Sequence, residues 1–170
     1  SIYVGGTTYS LTFDGQNRSG AEDGFLTKYQ ADGTKVWTKL LGSDGYDDVR
    51  GLTVGLDGAI YVGGATVAVV GGSANFDGQA RFGSYDGYFA KYQPDGSKVW
   101  TRLLGSTGNE VVASLTTGLD GSIYIGGATD SWQTTSGTTD AFIAKYQPNN
   151  TYEWANVLVG DITDLSLIHI

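Results

Sequence analysis

A ten-residue phrase that occurs three times constrains this chain more than any other feature of its sequence. KYQPDGSKVW at 91–100 has a near-copy at 28–37, KYQADGTKVW, and a divergent copy at 145–154, KYQPNNTYEW. Two other landmarks recur with it: IYVGG or IYIGG begins at 2, 60 and 123, and DGF, DGY and DAF begin at 23, 86 and 140. Such tandem units indicate one supersecondary structure that is built three times and stacked on itself.

The spacing of the landmarks separates a fixed half of each unit from a variable half. Asp23 and Ile60 are 37 residues apart, and so are Asp86 and Ile123. From each IY landmark to the next Asp, in contrast, the intervals are 21, 26 and 17 residues. The fixed half therefore predicts a structural frame, and the segment that takes all insertions and deletions predicts a loop.

Each unit divides into four strand-like runs, which in residues 49–104 are VRGLTVG, AIYVGGAT, GYFAKYQ and SKVWTRLL. Asp-Gly pairs at 57–58 and 95–96 join two pairs of these runs, and Asp-Gly favours tight hairpin turns. In the third unit Asn149-Asn150 replaces the second Asp-Gly, and Asn tolerates left-handed backbone better than most residues. Apolar residues occur on both faces of the runs, which indicates sheets packed between sheets.

Composition favours an all-β chain and excludes several kinds of chemistry. The 170 residues include 27 Gly, 11 Tyr and 4 Trp but only 2 Pro, as expected for short strands and tight turns. A net charge of -8 argues against nucleic-acid binding. Without Cys, and with His169 as the single His, the chain has no thiolate nucleophile, Ser-His-Asp triad or His-rich metal site. No apolar run approaches the roughly 20 residues that cross a membrane, so no membrane insertion is expected.

The order of these motifs resembles a known family. DGYFAKYQPDGSKVWTRLLGS, an acidic link such as GSDGYDD, and then GLTVGLDGAIYVGG follow one another over about residues 2 to 160. This order is similar to that of the bacterial seven-bladed β-propeller repeat family, whose tandem four-stranded blades occur in secreted and cell-surface proteins. The resemblance implies a propeller architecture and an extracellular or cell-surface location, and it supplies no catalytic residues.

The strand count predicts about three blades, over residues 2–41, 49–104 and 112–158, followed by a divergent tail at 161–170. We call these three units copies 1, 2 and 3. Propellers close with 4 to 8 blades, so the chain is expected to be a partial propeller. Its remaining blades would come from a longer parent chain or from self-association. The lack of Met and the start in IYVGG favour the parent chain.

Acidic residues are the first candidate for a site. In an up-and-down meander the variable loops and the acidic links share one end, and most of the 18 acidic residues fall there. Calcium binding is one hypothesis, because Ca²⁺ prefers 6 to 8 oxygen ligands. The alternative is that the carboxylates accept backbone N–H bonds in turns and at strand ends. The candidate calcium ligands are Asp44, Asp47 and Asp48 of GSDGYDD, with Asp14 and Asp77 of the repeated FDGQ.

Trp132 is the second candidate. The other three tryptophans share one position of the repeat and are expected to pack between sheets, whereas Trp132 lies in the variable loop. Counted along the loops, it stands opposite Gly15 and Gly78 and has no aromatic counterpart. A loop tryptophan can stack on a sugar or anchor a protein partner, and the alternative is that it packs on its own blade.

The sequence therefore predicts a non-catalytic binding or structural module of an exported bacterial protein, with variable acidic loops for protein or glycan contacts. Three alternatives remain open. One is a calcium-binding adhesion module, and another is a purely architectural spacer. The third is a glycan hydrolase that uses Asp14 and Asp77 as paired carboxylates and needs further blades.

Overall fold

The computed structural model describes residues 1–72, 75–132 and 139–159, and it shows an all-β chain built mainly of antiparallel sheets. The prediction of an all-β fold is thereby confirmed. Within these three ranges no helix is long and apolar enough to span a membrane. The predicted tail at 161–170 lies outside the described residues.

Copy 1 forms a three-stranded sheet, sheet 1, in the order β1-β4-β5. A small hairpin of β2 and β3 is inserted between β1 and β4. The edge of β1 that faces away from β4 pairs with no other strand of the described chain. The bounds are β1 (Ile2–Thr8), β2 (Thr12–Phe13), β3 (Gln16–Asn17), β4 (Asp23–Tyr29) and β5 (Lys35–Leu41).

Copy 2, together with the acidic link before it, forms sheet 2, in which β12, β11 and β8 follow one another and both β6 and β7 pair with β8. A second small hairpin, of β9 and β10, is inserted between β8 and β11. The bounds are β6 (Tyr46–Asp47), β7 (Gly51–Val54), β8 (Ile60–Val67), β9 (Asn75–Phe76), β10 (Gln79–Ala80), β11 (Tyr85–Tyr92) and β12 (Lys98–Leu104).

Copy 3 forms sheet 3, a four-stranded antiparallel meander in the order β13-β14-β15-β16. Its strands are β13 (Glu110–Thr117), β14 (Ile123–Thr129), β15 (Asp140–Tyr146) and β16 (Tyr152–Leu158). The register of β15 against β16 repeats that of β11 against β12, including a bulge near the turn. Equivalent positions of the repeat can therefore be compared residue by residue.

The repeated phrase of the sequence is the hairpin between the last two strands of each sheet. In copy 2 Gly96 has a φ of 86°, and its N–H bonds to the Gln93 carbonyl at 2.9 Å. In copy 3 Asn150 has a φ of 73° and makes the same bond to Gln147 at 2.9 Å. Asn thus replaces Gly in left-handed backbone without loss of the turn.

Sheet 2 is buried on both faces. Side chains alternate along each strand, so neighbouring residues of β8 belong to opposite cores. Ile60 and Val62 of β8 share a core with Leu26 of sheet 1. Tyr61, between them, shares a second core with Ile125 of sheet 3. The apolar residues on both faces of the strand-like runs therefore reflect a sheet that lies between two others.

Each outer sheet leaves one face uncovered by any other sheet in the described structure. Ile2 and Val4 of β1 are 51% and 42% exposed, whereas the equivalent Ile60 and Val62 of sheet 2 are fully buried. On the far side of sheet 3, Trp154 is 37% exposed. The stack of sheets thus has an unmatched face at both ends.

Candidate binding site

The FDGQ motif of copies 1 and 2 forms the small inserted hairpin of each copy. The turn residues Asp14 and Gly15 have φ values of 50° and 74°, and Asp77 and Gly78 have values of 51° and 77°. Two successive residues with positive φ make the type I′ turn that best fits the twist of a two-residue hairpin. The motif is therefore first of all a turn.

An aromatic side chain docks each inserted hairpin on its own sheet. The ring centroids of Phe13 and Phe25 are 4.9 Å apart, and those of Phe76 and Tyr88 are 4.7 Å apart. Phe76 is only 3% exposed and belongs to the core between sheets 1 and 2. The hairpin of copy 2 thus fills space between two sheets.

The glutamine of the motif bonds to the free edge of the outermost strand. Gln79 donates through Nε2 to the Thr101 carbonyl at 2.7 Å, and its Oε1 accepts from the Leu103 N–H at 3.3 Å. Gln16 makes the same pair of bonds to β5, at 2.9 and 3.4 Å. One carboxamide therefore satisfies one acceptor and one donor of the strand edge.

The aspartate of the motif pairs with a lysine of its own copy, Asp14 with Lys35 and Asp77 with Lys98. The hydrogen bond from Lys35 lowers the pKa of Asp14. Burial raises the pKa of Asp77, but the hydrogen bonds to Lys98 and Thr101 and the charge of Lys98 together outweigh burial, so the pKa is lowered. A glycosidase needs one carboxyl with a raised pKa as its general acid, so this geometry gives the hydrolase hypothesis no support.

Asp47 of the acidic link is fully buried. It accepts bonds from the backbone N–H and the hydroxyl of Ser43 at 2.6 and 2.8 Å, and the Arg81 guanidinium lies 3.9 Å away. Burial raises the pKa of Asp47 against the effect of these bonds. Its carboxylate holds the link against Thr66 of β8. This is the role of a hydrogen-bond acceptor in a turn, which is the alternative to calcium binding.

Asp48 and Asp44 lie on the same link. Asp48 accepts from the Ala65 N–H at 2.8 Å and from Arg50 Nε at 2.8 Å, whereas Asp44 is exposed. In the part of the chain that the structure describes, no group of three or more Asp, Glu, His or Cys residues could hold a metal ion. Calcium binding at these five aspartates remains a hypothesis from the sequence.

The sequence of copy 3 has no FDGQ motif, and Trp132 takes the place of the phenylalanine of that motif. The Trp132 ring packs on Phe142 with a centroid distance of 4.9 Å, as Phe13 and Phe76 pack on the same position of their copies. The pairing of Trp132 with Gly15 and Gly78 is therefore wrong. Counting residues along loops of different length misaligns the copies. The shared ring contact with the start of β4, β11 and β15 instead identifies Phe13 and Phe76 as the counterparts of Trp132.

A second position changes together with the hairpin. Tyr152 occupies the position at which the other copies have Lys35 and Lys98, the partners of the FDGQ aspartates. Copy 3 has thus lost both halves of this ion pair. It has gained an aromatic side chain in the same place.

A cavity of about 440 Å³ lies between the described outer strands of sheets 2 and 3, beside both changed positions. The corresponding space between sheets 1 and 2 is about 90 Å³, because Phe76 and its hairpin occupy it. The lining of the larger cavity includes four aromatic residues and one arginine. They are Phe82, Trp132, Tyr146, Tyr152 and Arg102.

The cavity lining carries a positive charge and no carboxylate among the described residues. The Arg102 guanidinium lies 5.2 Å from the centroid of the Tyr146 ring, and its Nη1 makes only long bonds of 3.4 and 3.5 Å to Asn150. Burial raises the pKa of Tyr146, which keeps its hydroxyl neutral. The site therefore combines flat apolar rings with a few hydrogen-bond donors.

Comparison with known proteins gives a distant similarity. No protein-family model matches the chain. Over 180 residues the chain is 28% identical to the regulatory protein FlaEY of Caulobacter vibrioides, an alignment that covers 91% of this chain and 19% of that protein. The chain thus corresponds to a minor part of the length of this relative.

Proposed function

We propose that this chain is a non-catalytic glycan-binding module in which the three sheets are successive blades of a β-propeller. The observation that carries the proposal is the aromatic cavity, because it lies where copy 3 departs from the other two copies. A repeat that only builds a frame would keep its FDGQ hairpin and its lysine. The departure instead exposes Trp132 and Tyr152 to a shared space.

The cavity has the size and chemistry of a small-ligand site. Its volume of about 440 Å³ lies within the roughly 300 to 1,000 Å³ of typical ligand pockets, which are mainly apolar with a few polar groups. Aromatic rings such as those of Trp132 and Tyr152 offer an apolar body with a polar tip. A stable protein partner would instead need roughly 800 Å² of surface on each side, so we favour a sugar as the occupant.

Binding is favoured over hydrolysis because the acids are already in use. Hydrolysis of a glycosidic bond requires two carboxyl groups that flank the bond. The described lining of the cavity has none. Asp14 and Asp77 instead form ion pairs with lysines of their own copies. A module of an exported or cell-surface bacterial protein would use such a site for adhesion or recognition.

The test uses a substitution that the repeat itself already contains. Tyr152→Lys places in copy 3 the residue that copies 1 and 2 have, so the fold should be retained while one aromatic wall is lost. The wild-type protein is first screened on an array of immobilised glycans, and the best ligand is then titrated by calorimetry. We expect Tyr152→Lys to weaken binding at least about fivefold, since stacking on an aromatic residue contributes on the order of 1 kcal/mol or more.

Lys35→Tyr is the matched control. It exchanges the same two residue types at the equivalent position of sheet 1, outside the cavity, and should leave the affinity unchanged. Equal affinities of Tyr152→Lys and the wild-type protein, or an array on which no glycan is retained, would overturn the proposal.

A further inference from the structure

Each acidic link carries a carboxylate that lies opposite a threonine of the next sheet. In the link GSDGYDD, Asp47 pairs with Thr66 of β8, and in the link GSTGNEV, Glu110 pairs with Thr129 of β14. All four side chains are fully buried. Thr8 has the same position in β1, and no strand of the described chain pairs with the edge of β1 that faces away from β4.

In copy 2 an arginine joins the link to the sheet. Arg81 donates to Thr66 Oγ1 through Nε at 3.1 Å and through Nη2 at 2.7 Å, and its Nη2 also donates to Ser43 Oγ of the link at 2.6 Å. The Ser43 hydroxyl donates to Asp47, whose carboxylate lies 3.9 Å from the same guanidinium. The link thus gives Arg81 a hydroxyl acceptor and a compensating negative charge.

Arg18 has the equivalent position in copy 1, two residues after the glutamine of FDGQ, but its surroundings differ. Its Nη1 donates to the Tyr9 carbonyl at 2.7 Å. Its Nε, in contrast, is buried without a hydrogen-bond partner. A buried charged donor without an acceptor is costly, so this arginine is prepared for a group that the described chain does not give it.

The backbone of β1 has a matching preference. In sheet 2 the Asp48 N–H of the link donates to the Ala65 carbonyl at 3.1 Å, and Asp48 Oδ1 accepts from the Ala65 N–H at 2.8 Å. Thr7 pairs with Gly24 as Ala65 pairs with Gly87, so Thr7 is the equivalent residue of β1. An edge that presents such N–H and C=O groups is a template for an added strand.

We propose that the edge of β1 is a strand-addition site for an acidic link of this repeat, supplied by a repeat unit other than the three copies. The added segment is extended and has the pattern Ser-x-x-x-Asp. Its aspartate compensates the charge of Arg18 as Asp47 does for Arg81, and its serine accepts from the guanidinium. A neutral strand can form the same backbone bonds but leaves the charge of Arg18 buried without a counterion. The site lies on sheet 1 and does not depend on the proposed glycan binding.

The probe is a synthetic peptide with the sequence of residues 42–54, GSDGYDDVRGLTV. It is titrated into the isotope-labelled wild-type chain, and amide NMR spectra follow the Thr7 N–H. We expect this signal to shift and its exchange with solvent to slow, because the amide gains a carboxylate partner. A peptide with Asp47→Asn should bind at least about tenfold more weakly, since one partner of a buried charge pair is lost. Asp44→Asn removes the same charge at an exposed position and is the matched control.

Substitutions in the chain test the other partner. Arg18→Gln should weaken binding of the unmodified peptide by a similar factor, and Arg50→Gln, at an exposed arginine, should leave it unchanged. Against the Asp47→Asn peptide, Arg18→Gln should cause little further loss, because the two residues act as one pair. A purely structural role of Arg18 would weaken both peptides equally. Circular dichroism checks that each variant is folded.

A fused segment tests the site without depending on the affinity of a free peptide. Residues 42–58 placed directly before Ser1 have the spacing that separates the link from Ile60 in copy 2. The added link is then present at a high effective concentration and should raise the melting temperature. Asp47→Asn in the added segment, or Arg18→Gln in the chain, should remove most of that rise.

Three results would overturn the proposal. The first is equal binding of the original and Asp47→Asn peptides, which would show an edge without selection for an acid. The second is a fused segment that leaves the melting temperature unchanged. The third is a Thr7 N–H that is already protected from exchange in the free chain, which would show that the edge is filled. Binding that needs both Asp47 and Arg18 and that shifts the Thr7 signal supports it.

Discussion

The rings of Trp132 and Phe142 lie 4.9 Å apart, the same centroid distance as between Phe13 and Phe25. In all three copies an aromatic side chain from the variable loop therefore covers the same position of the repeat. This position is the aromatic residue near the start of β4, β11 and β15, namely Phe25, Tyr88 and Phe142. Copies 1 and 2 cover it with the phenylalanine of a hairpin, and Trp132 covers it in copy 3. The packing is the same in all three copies although the loop sequences differ.

Substitutions at Trp132 test this packing role. The ring is partly buried against the core between sheets 2 and 3, so Trp132→Ala should lower the free energy of unfolding by about 2 kcal/mol, less than for a fully buried aromatic residue. Trp132→Phe, which copies the other two repeats, should restore most of that loss. Urea denaturation followed by circular dichroism measures both, and identical stabilities of the two variants would contradict the packing role.

The two inserted hairpins should differ in their importance for stability. Phe76 is 3% exposed in the core between sheets 1 and 2, so Phe76→Ala should cost about 3 to 5 kcal/mol. Phe13 makes the same ring contact on the face of sheet 1 that no described sheet covers. Phe13→Ala should therefore cost less than half as much. Parallel denaturation curves of the two alanine variants provide the check, and equal losses would show that burial between sheets adds nothing.

A lysine that bridges two carboxylates predicts a loss of stability in acid. Lys145 lies 3.0 Å from Asp120 and 2.9 Å from Glu153. The bond from Lys145, with those from Ser122, lowers the pKa of Asp120 from 3.8 to about 2. A carboxyl group whose pKa is lowered by folding stabilises the folded state at pH values above its pKa in the unfolded chain. That contribution is lost as the pH falls from 3.8 through about 2.

Asp120→Asn removes this contribution. The variant should melt at a lower temperature than the wild-type protein near pH 6, and the difference should shrink as the pH approaches 2. Melting temperatures across this range are measured by calorimetry. A difference that stays constant with pH would mean that the ion pair does not account for the lowered pKa.

Much of the frame could be predicted from the sequence because it depends on local rules. Asp-Gly pairs select tight turns, so the position of the hairpin at Gly96 follows directly from the sequence. Alternation along a strand sets which residues share a face, and residues 60–62 of β8 face two different cores as expected. The fixed interval of 37 residues between landmarks also keeps the copies in register.

The candidate site could not be predicted in this way because it depends on which side chains of two neighbouring sheets face each other. Acidic residues dominate the link sequence GSDGYDD, yet Asp47 and Asp48 are hydrogen-bond acceptors inside the link. The repeat shows that copy 3 has Tyr152 where the other two copies have a lysine. Its meaning depends on the role of the lysine, which holds the FDGQ hairpin in place. Copy 3 lacks both the FDGQ motif and the lysine that pairs with its aspartate. This joint loss is the sequence signal that could have pointed to the cavity.

Calcium should have little effect on the folded chain. Asp48 already accepts two bonds and Asp47 is enclosed, so binding a cation would require these bonds to be exchanged. We expect the melting temperature to change by no more than about 1 °C in millimolar calcium, the concentration at which extracellular calcium modules are occupied. Magnesium is the control for ionic strength. A larger rise with calcium that Asp48→Asn abolishes would instead support the calcium hypothesis.

The unmatched faces of the outer sheets predict self-association. Inside the chain, the face of sheet 2 that contains Ile60 and Val62 is buried against sheet 1, whereas Ile2 and Val4 on the same face of sheet 1 are exposed. A second copy could cover this face with the outer face of its sheet 3, since the equivalent face of sheet 1 already covers sheet 2. Contacts of this head-to-tail kind form rings or open assemblies.

Val4→Lys should therefore shift the chain toward the monomer, because a charge at the centre of the contact would be buried without a partner. Light scattering across a range of concentrations measures the mass, and Leu119→Lys, at a turn position that is 96% exposed, is the control that should leave the mass unchanged. The wild-type chain should show a mass that rises with concentration. A monomer at every concentration, or a mass that Val4→Lys leaves unaltered, would show that the exposed face of sheet 1 is not a contact surface. Circular dichroism of both variants separates a true shift in association from unfolding, since the side chain at position 4 is already 42% exposed in the single chain.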